Sequence, residues 1–422
     1  MICRNCKRTK FDRISDIGDQ PISSLFLKKK KKIKNYSLNL YKCKICDLVQ
    51  LSKIPDLKDM YGPEYGYKTS VSELMIKHLK DKFIQIKNYR ILKKNSNILD
   101  IGSNDGTFLN FFSKNKKNFN LFGIDPSASA FLDNYKKNIK VIIDFFNKNS
   151  VKKNFLKNKL KFSLITSYAM FYDIEEPNEF SRDISHILNK NGIWALEFSY
   201  FPLLLKNLTY DQICHEHCVY YSLTTFNNII SKNNLKIVDF HLNEINGGSI
   251  EVICAKKNSK FISKKKKIND LIKEEEKIHL EDFNKFNLRI ENSKNNLNLF
   301  LSKCKKSEVV GYGASTKGNV ILNYCGITNQ QVPYICDANP IKKDKFTPGS
   351  HIKIISKVRM RKLNPKYLLV LIWSFRTEVI SQEENFIKKG GKLIFPLPIF
   401  HVVDKNNYKK YLKEDFSLFS FS

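Results

Sequence analysis

A chain of 422 residues that is 42% hydrophobic and 12% aromatic is too apolar for bulk disorder and too long for one ordinary core, so two or three domains are expected. No apolar run approaches the roughly 18–20 residues of a membrane helix, and the start, Met1-Ile-Cys-Arg-Asn-Cys-Lys, has no signal-peptide core, which leaves the cytoplasm as the default location. The formal charge of +32 would attract an anionic nucleotide or a nucleic acid, but the lysines are dispersed, and the runs Lys28–Lys32 and Lys264–Lys267 lack interleaved aromatics for stacking on bases; a zinc-containing nucleic-acid-binding protein is therefore kept as the minor reading.

Residues 1–70 hold Cys3-x-x-Cys6 and Cys43-x-x-Cys46, separated by 36 residues. Each tight turn places two thiolates on one edge of a tetrahedron, and two such turns complete it, so structural Zn2+ is expected on Cys3, Cys6, Cys43 and Cys46. A redox dithiol would open a helix, and neither pair looks like a helix start. The other six cysteines are scattered and read as small core residues.

Residues 71–255 alternate short apolar runs with helical stretches, the pattern of a parallel sheet covered by helices. An amphipathic helix over Ser72–Ile91 leads in, and strands are predicted at Asn97–Ile101, Leu121–Ile124, Lys140–Ile143, Phe162–Ser167 and Gly192–Phe198, with helices such as Asn178–Leu188 and Thr225–Asn233 between them. The first strand runs into Asp100-Ile-Gly-Ser-Asn-Asp-Gly106, where Gly102 and Gly106 let the backbone pass close to a ligand and Ser103 and Asn104 line the turn. Asp125, 23 positions after Gly102, ends the second strand and is suited to ribose hydroxyls. Asn104 and Thr107 stand where a dinucleotide motif has its second and third glycines, so NAD fits poorly. Asp100 and Asp105 would oppose a pyrophosphate but suit a cationic sulfonium and amino group, which points to S-adenosylmethionine. Asp144 and Phe145, after the third strand, either flank its adenine or pack structurally.

Residues 256–306 carry apolar positions at helical spacing and read as one or two long helices. Residues 307–422 restart the alternation with a strand entering Gly311-x-Gly313-Ala-Ser315-Thr-Lys317-Gly, then the helix Lys317–Cys325 and strands at Val332–Cys336, Tyr367–Ile372 and Lys392–Phe395. Backbone N–H groups at that helix start, with Lys317 nearby, suit a diphosphate, and Asp337 suits a ribose; NAD is the rival occupant.

Between these units, Asp211-Gln-Ile-Cys-His215-Glu216-His217 concentrates titratable groups after a strand end. The two histidines are too close for the i, i+4 pair of a helical zinc site, and a His–Glu pair that moves protons fits better. At this point the chain resembles the sugar C-methyltransferase family, which acts on nucleotide-linked deoxy-keto sugars. The resemblance rests on the four cysteines with Gly18-Asp-Gln-Pro21 and Leu48-Val-Gln-Leu51, then Tyr61-x-x-x-Tyr65-x-Tyr67 and His78. It continues through Asp100–Gly106, His215-Glu-His217, Asn246-Gly-Gly-Ser249, Gly311–Asn319 and Pro348-Gly-Ser-His351, and so spans nearly the whole chain.

The resemblance implies an α/β fold: a class I Rossmann-like methyltransferase domain between an N-terminal zinc-binding module and a C-terminal Rossmann-like nucleotide-binding domain. It further implies His217 as general base on a carbon acidified by a neighbouring carbonyl, Glu216 as its orienting partner, His215 as structural, and Tyr65 or Tyr67 as donor to the enolate oxygen. Asn246, Asn319 and Tyr172 join Gly311, Gly313, Ser315, Lys317 and Asp337 as expected substrate contacts. The chain departs from the family pattern at Cys214, where some members have Tyr, and at Tyr172, where some have His; both positions would face the substrate. A methyltransferase acting on another small molecule or on a sugar oxygen is the nearest alternative.

Overall fold

The computed structural model describes residues 1–56, 60, 67–113 and 118–414. Tyr61 and Tyr65 lie outside the described residues. Three sheets organise the rest.

The first sheet explains the long gap between the cysteine pairs. Strands β1 (Phe11–Pro21) and β2 (Asn35–Cys43) form an antiparallel hairpin whose base closes at the cysteines, Phe11 pairing with Cys43. Strand β3 (Val49–Leu51) extends it, and at its far edge β3 pairs with β9 (Val219–Tyr220), which begins two residues after His217. The sheet of the zinc-binding module thus includes the short strand that follows the His-Glu-His turn.

The second sheet has the order β10-β11-β8-β7-β4-β5-β6. Its parallel strands are β4 (Asn97–Ile101), β5 (Asn120–Ile124), β6 (Ile139–Ile142), β7 (Phe162–Tyr168) and β8 (Leu188–Ser199), close to the expected runs. The sheet is mixed rather than wholly parallel, because β10 (Leu235–Asn243) and β11 (Ser249–Lys256) add an antiparallel edge. The few residues between β10 and β11 cannot carry the crossover that parallel neighbours need. The chain leaves β4 toward β5 on one side and returns through β7 on the other, so the crevice for a ligand opens at the carboxyl ends of β4 and β7.

Two helices, Lys265–Glu275 and Leu280–Ser302, lead to the third sheet. Glu275 at the end of the first accepts from Leu223 N (2.5 Å) and Thr224 N (2.9 Å), which supplies partners for the open start of helix Leu223–Ser231. The third sheet runs β14-β13-β12-β15-β16-β17 and is parallel except for β17 (His401–Val403). Its centre is β12 (Val309–Tyr312), flanked by β13 (Tyr334–Cys336) and β15 (Tyr367–Val370), with β14 (Lys353–Ile355) and β16 (Lys392–Phe395) outside them. The same crevice logic places a second site after β12, at Gly313.

Candidate active site

The cysteine cluster forms as the spacing predicts. All four sulfurs lie within 4.8 Å of one another, with Cys3 Sγ 3.5 Å from Cys46 Sγ and Cys6 Sγ 3.6 Å from Cys43 Sγ. A tetrahedron with Zn–S bonds of about 2.3 Å has edges of about 3.8 Å, so the cage fits zinc and has all four corners filled by protein. Lys7 and Asp47, each four residues after the first cysteine of its pair, turn through positive φ (60° and 59°) and return their N–H groups to the carbonyls of Cys3 and Cys43.

After β4 the chain turns through Gly102 (φ +71°), Asn104 (φ +48°) and Gly106 (φ +73°). A Cβ on Gly102 would stand 3.0 Å from Met170 Cγ, and one on Gly106 would stand 2.6 Å from the Tyr135 ring. Asn104 N donates to Asp125 Oδ2 (2.8 Å), while Ser127 N and Oγ donate to Asp125 Oδ1 (both 2.6 Å), so the second-strand carboxylate is pinned beside the loop. The cavity above this loop, about 170 Å³, is walled by Asp100, Gly102, Ser103, Asn104, Asp125 and Phe145. Tyr168, Met170, Asp173, His78 and Glu197 complete it.

The predicted cofactor residues divide on geometry. Asp105 is turned away from the ligand space: it accepts from Ser70 N (2.9 Å) and Thr107 Oγ1 (2.6 Å) and so ties the loop together. Gly106 serves the packing of Tyr135, whose hydroxyl donates to Asn104 O (2.8 Å). Asp144 is exposed, and its carboxylate accepts from Phe145 N (2.8 Å), the local turn bond that short acidic side chains favour. Neither Asp105, Gly106 nor Asp144 lines the cavity.

Charge fits a cationic ligand. Asp100 registers beside Thr166 of β7 and accepts its hydroxyl at 2.6 Å; burial, with some help from the Asp125 charge, pushes its carboxyl up to about 7. Burial also acts to raise Glu197, but His78 (2.9 Å) and Lys82 (3.4 Å) outweigh it and hold that carboxyl at about 2. Asn243 Nδ2 donates to the same group at 2.8 Å. A cavity bordered by Asp100, Asp125, Asp173 and Glu197 would repel a diphosphate and favours the sulfonium and ammonium of S-adenosylmethionine. Residue spacing did not reveal the Glu197–His78 pair, because its members are 119 positions apart on different elements.

The segment 170–173 leads from this cavity to the His-Glu-His triplet. Met170 and Asp173 face the cavity, and the Tyr172 ring lies 3.9 Å from that of His217. Phe171 is wedged against Tyr221 (5.0 Å), Phe226 (5.5 Å) and Trp194 (5.6 Å), which fixes the segment between β7 and β9. His217 is buried and hydrogen-bonded to the Gln212 backbone; burial and then the Lys317 charge hold its imidazole well below the ordinary value, so it stands neutral. Its Nδ1 is buried without a partner among the described residues. Glu216 accepts from Ser23 Oγ (3.2 Å), and its Oε1, like His217 Nδ1, is buried without a partner among the described residues, so no hydrogen bond joins those two atoms. His215 is fully buried with Nε2 3.3 Å from Tyr36 O, a structural placement.

The second glycine loop borders another cavity, of about 190 Å³. Gly313, Ser315 and Asp337 line it, with Lys68, Lys342 and Lys357, and it shares Tyr67, Thr69 and Met75 with the cofactor cavity. Besides Tyr172, which lies against His217, four expected substrate residues stand elsewhere. Gly311 is buried in β12, where a Cβ would meet Ile335 at 2.9 Å. Asn319 donates to Ser23 O (2.7 Å), and the Asn246 carbonyl accepts from Gln212 Nε2 (2.7 Å). Lys317 is half-buried, but its Nζ is fully buried and close enough to Asp211, Asp173 and His217 to act on each electrostatically.

Three family models match in chain order: "Putative zinc binding domain" over residues 3–61, "Methyltransferase domain" over 74–239 and "C-methyltransferase C-terminal domain" over 244–398. The C-methyltransferase NovU of Streptomyces niveus is 26% identical over 405 residues, covering 94% of this chain and 95% of its own. Among solved structures, the PH0226 protein of Pyrococcus horikoshii OT3 overlaps 45% of this chain and 94% of its own at 15% identity and a TM-score of 0.36. An S-adenosylmethionine-dependent methyltransferase from Clostridium acetobutylicum overlaps 42% and 91% at 12% identity and a TM-score of 0.33. With its cysteine cage, its acidic cofactor cavity and all three domain matches in order, the chain is an S-adenosylmethionine-dependent methyltransferase with a zinc-binding module, similar over nearly its whole length to a C-methyltransferase.

Proposed function

We propose that the chain methylates a carbon of a nucleotide-linked, dTDP-type keto-deoxysugar through an enolate generated by His217. The observation that carries this reading is a neutral, buried imidazole with one unpartnered nitrogen, set behind the segment that walls the cofactor cavity. Methyl transfer to oxygen has less need of such a base, whereas a C–H bond beside a carbonyl must first lose its proton. Bound adenosylmethionine supplies the electrophilic methyl group. His217 removes the proton, Asp100 and Glu197 hold the donor's positive end, and Tyr67, on the wall common to both cavities, is placed to meet the acceptor. The cavity at Gly313 supports the nucleotide assignment: Ser315 and Asp337 are among its polar walls, and Lys68, Lys342 and Lys357 are its cations. On this reading the chain works as a zinc-binding module (1–70), a cofactor domain (71–255), a helical connector (256–306) and a nucleotide-sugar domain (307–422).

The test is calorimetric titration with S-adenosylhomocysteine and, in separate samples, with dTDP. Binding of both with additive stoichiometry is expected. Binding of S-adenosylhomocysteine alone would remove the nucleotide-linked acceptor from the reading.

A further inference from the structure

We infer that Lys317, from the C-terminal unit, is a catalytic residue whose ammonium meets the negative charge that develops on the acceptor's oxygen, in the buried space it shares with His217. The inference rests on the enolate reading above. Its geometric basis is independent of that reading.

Three observations support it. First, Lys317 Nζ is buried and has no hydrogen-bond partner among the described residues. Two lysines buried as whole residues are satisfied by contrast: Lys82 pairs with Glu251 at 2.9 Å, and Lys342 donates to Ala314 O at 2.8 Å. A buried ammonium left without a partner is costly, and a ligand oxygen would relieve that cost. Second, polar atoms of the segment that faces it are also unsatisfied: Asp211 Oδ1 and His217 Nδ1, both of which feel the Lys317 charge, are buried without partners among the described residues. Third, the lysine is held in place on both sides. Trp373 Nε1 donates to Asp211 Oδ2 (2.8 Å), and Tyr210 OH lies 3.7 Å from Cys325 Sγ at the end of the helix Thr316–Tyr324 that carries Lys317. Asn319 of that helix bonds Ser23 O, and the Ser23 hydroxyl bonds Glu216.

The position argues against a diphosphate anchor. Lys317 does not line the cavity at Gly313, where the cations are Lys68, Lys342 and Lys357. In the step assigned here, the acceptor's C–H bond breaks, the proton passes to His217, and the electron pair delocalises onto the carbonyl oxygen beside Lys317. Nothing is oxidised or reduced, and Lys317 keeps its protons. Burial lowers the Lys317 ammonium, while the Asp211 charge opposes the shift and helps keep it protonated.

The experiment compares wild type with Lys317→Met and Lys317→Arg in three measurements. The first is deuterium exchange into a panel of dTDP-linked keto-deoxyhexoses in D2O with S-adenosylhomocysteine present. The second is affinity for dTDP, and the third is the NMR titration of the His217 imidazole. Removing one oxyanion donor costs on the order of 100- to 1000-fold in other enzymes, so Lys317→Met should lose exchange by at least about 100-fold. Its dTDP affinity should be nearly unchanged, His217 should titrate higher, and Lys317→Arg should recover part of the exchange. Unimpaired exchange in Lys317→Met would overturn the inference, as would a loss that appears only as weaker dTDP binding. If wild type exchanges no sugar of the panel, the enolate reading fails, and the lysine's placement is then judged by the titration. An unmoved His217 would refute that placement too.

Discussion

Removing zinc should stop turnover while leaving the cofactor cavity able to bind. Among the described residues none before Tyr67 lines that cavity, so the metal-bound hairpin touches it only through the segment at Tyr67 and Thr69 that follows it. The His-Glu-His segment is different. Leu51 N donates to Cys218 O (3.0 Å), Tyr36 O lies 3.3 Å from His215 Nε2, and Ser23 Oγ donates to Glu216 (3.2 Å). Two neutral hydrogen bonds at about 1 kcal/mol each and one to a carboxylate at about 2 kcal/mol amount to about 4 kcal/mol that positions the segment. Structural zinc binding of roughly 10–16 kcal/mol is comparable with the whole stability of a domain, so the module should not keep its shape without the metal. Each 1.36 kcal/mol of barrier is tenfold in rate, and transmitting most of that positioning energy predicts a loss on the order of 100- to 1000-fold. The assay is turnover and S-adenosylhomocysteine calorimetry before and after chelation, with zinc measured in both samples. Full turnover of metal-free protein would refute the coupling, and loss of S-adenosylhomocysteine binding along with the zinc would refute the separation of the two sites.

Three other outcomes are expected. His217→Ala should abolish turnover with S-adenosylhomocysteine affinity nearly intact; retained activity would remove it as the base. Gly102→Val should abolish cofactor binding, because its backbone sits at φ +71° and a Cβ already meets Met170 at 3.0 Å, and normal affinity by calorimetry would contradict the site. Asp100, standing at about 7 in the ligand-free protein, is protonated below that pH, whereas a cationic ligand favours its ionised form. Cofactor binding should therefore expel a proton near and below pH 7, and affinity should weaken as pH falls through that range. Calorimetry in buffers of different ionisation enthalpy measures this, and proton uptake would refute it.

Local signals were legible in the sequence, and long-range juxtapositions were not. The zinc cage rests on two short spacings, and each knuckle turns on its own residues. Five parallel strands of the cofactor domain could be read because their apolar runs end in turn residues. The edge pair β10 and β11 was not separately predicted, since the expectation of a wholly parallel sheet left no place for it. Asp144 resembled a ligand by position after a strand, yet its backbone turn points it to solvent. The Gly313 loop led to a phosphate role for Lys317, and only the packing of helix Thr316–Tyr324 against 210–212 turns that side chain toward Asp211 and His217. Such a cluster joins segments roughly a hundred residues apart, and no periodicity encodes it.

The most direct test of the central claim is transfer from S-[methyl-13C]adenosylmethionine to dTDP-linked keto-deoxysugars, followed by carbon NMR of the product. The account predicts a new methyl signal coupled to a ring carbon. A methyl signal on oxygen, or no transfer by zinc-loaded protein that binds both S-adenosylhomocysteine and dTDP, would contradict it.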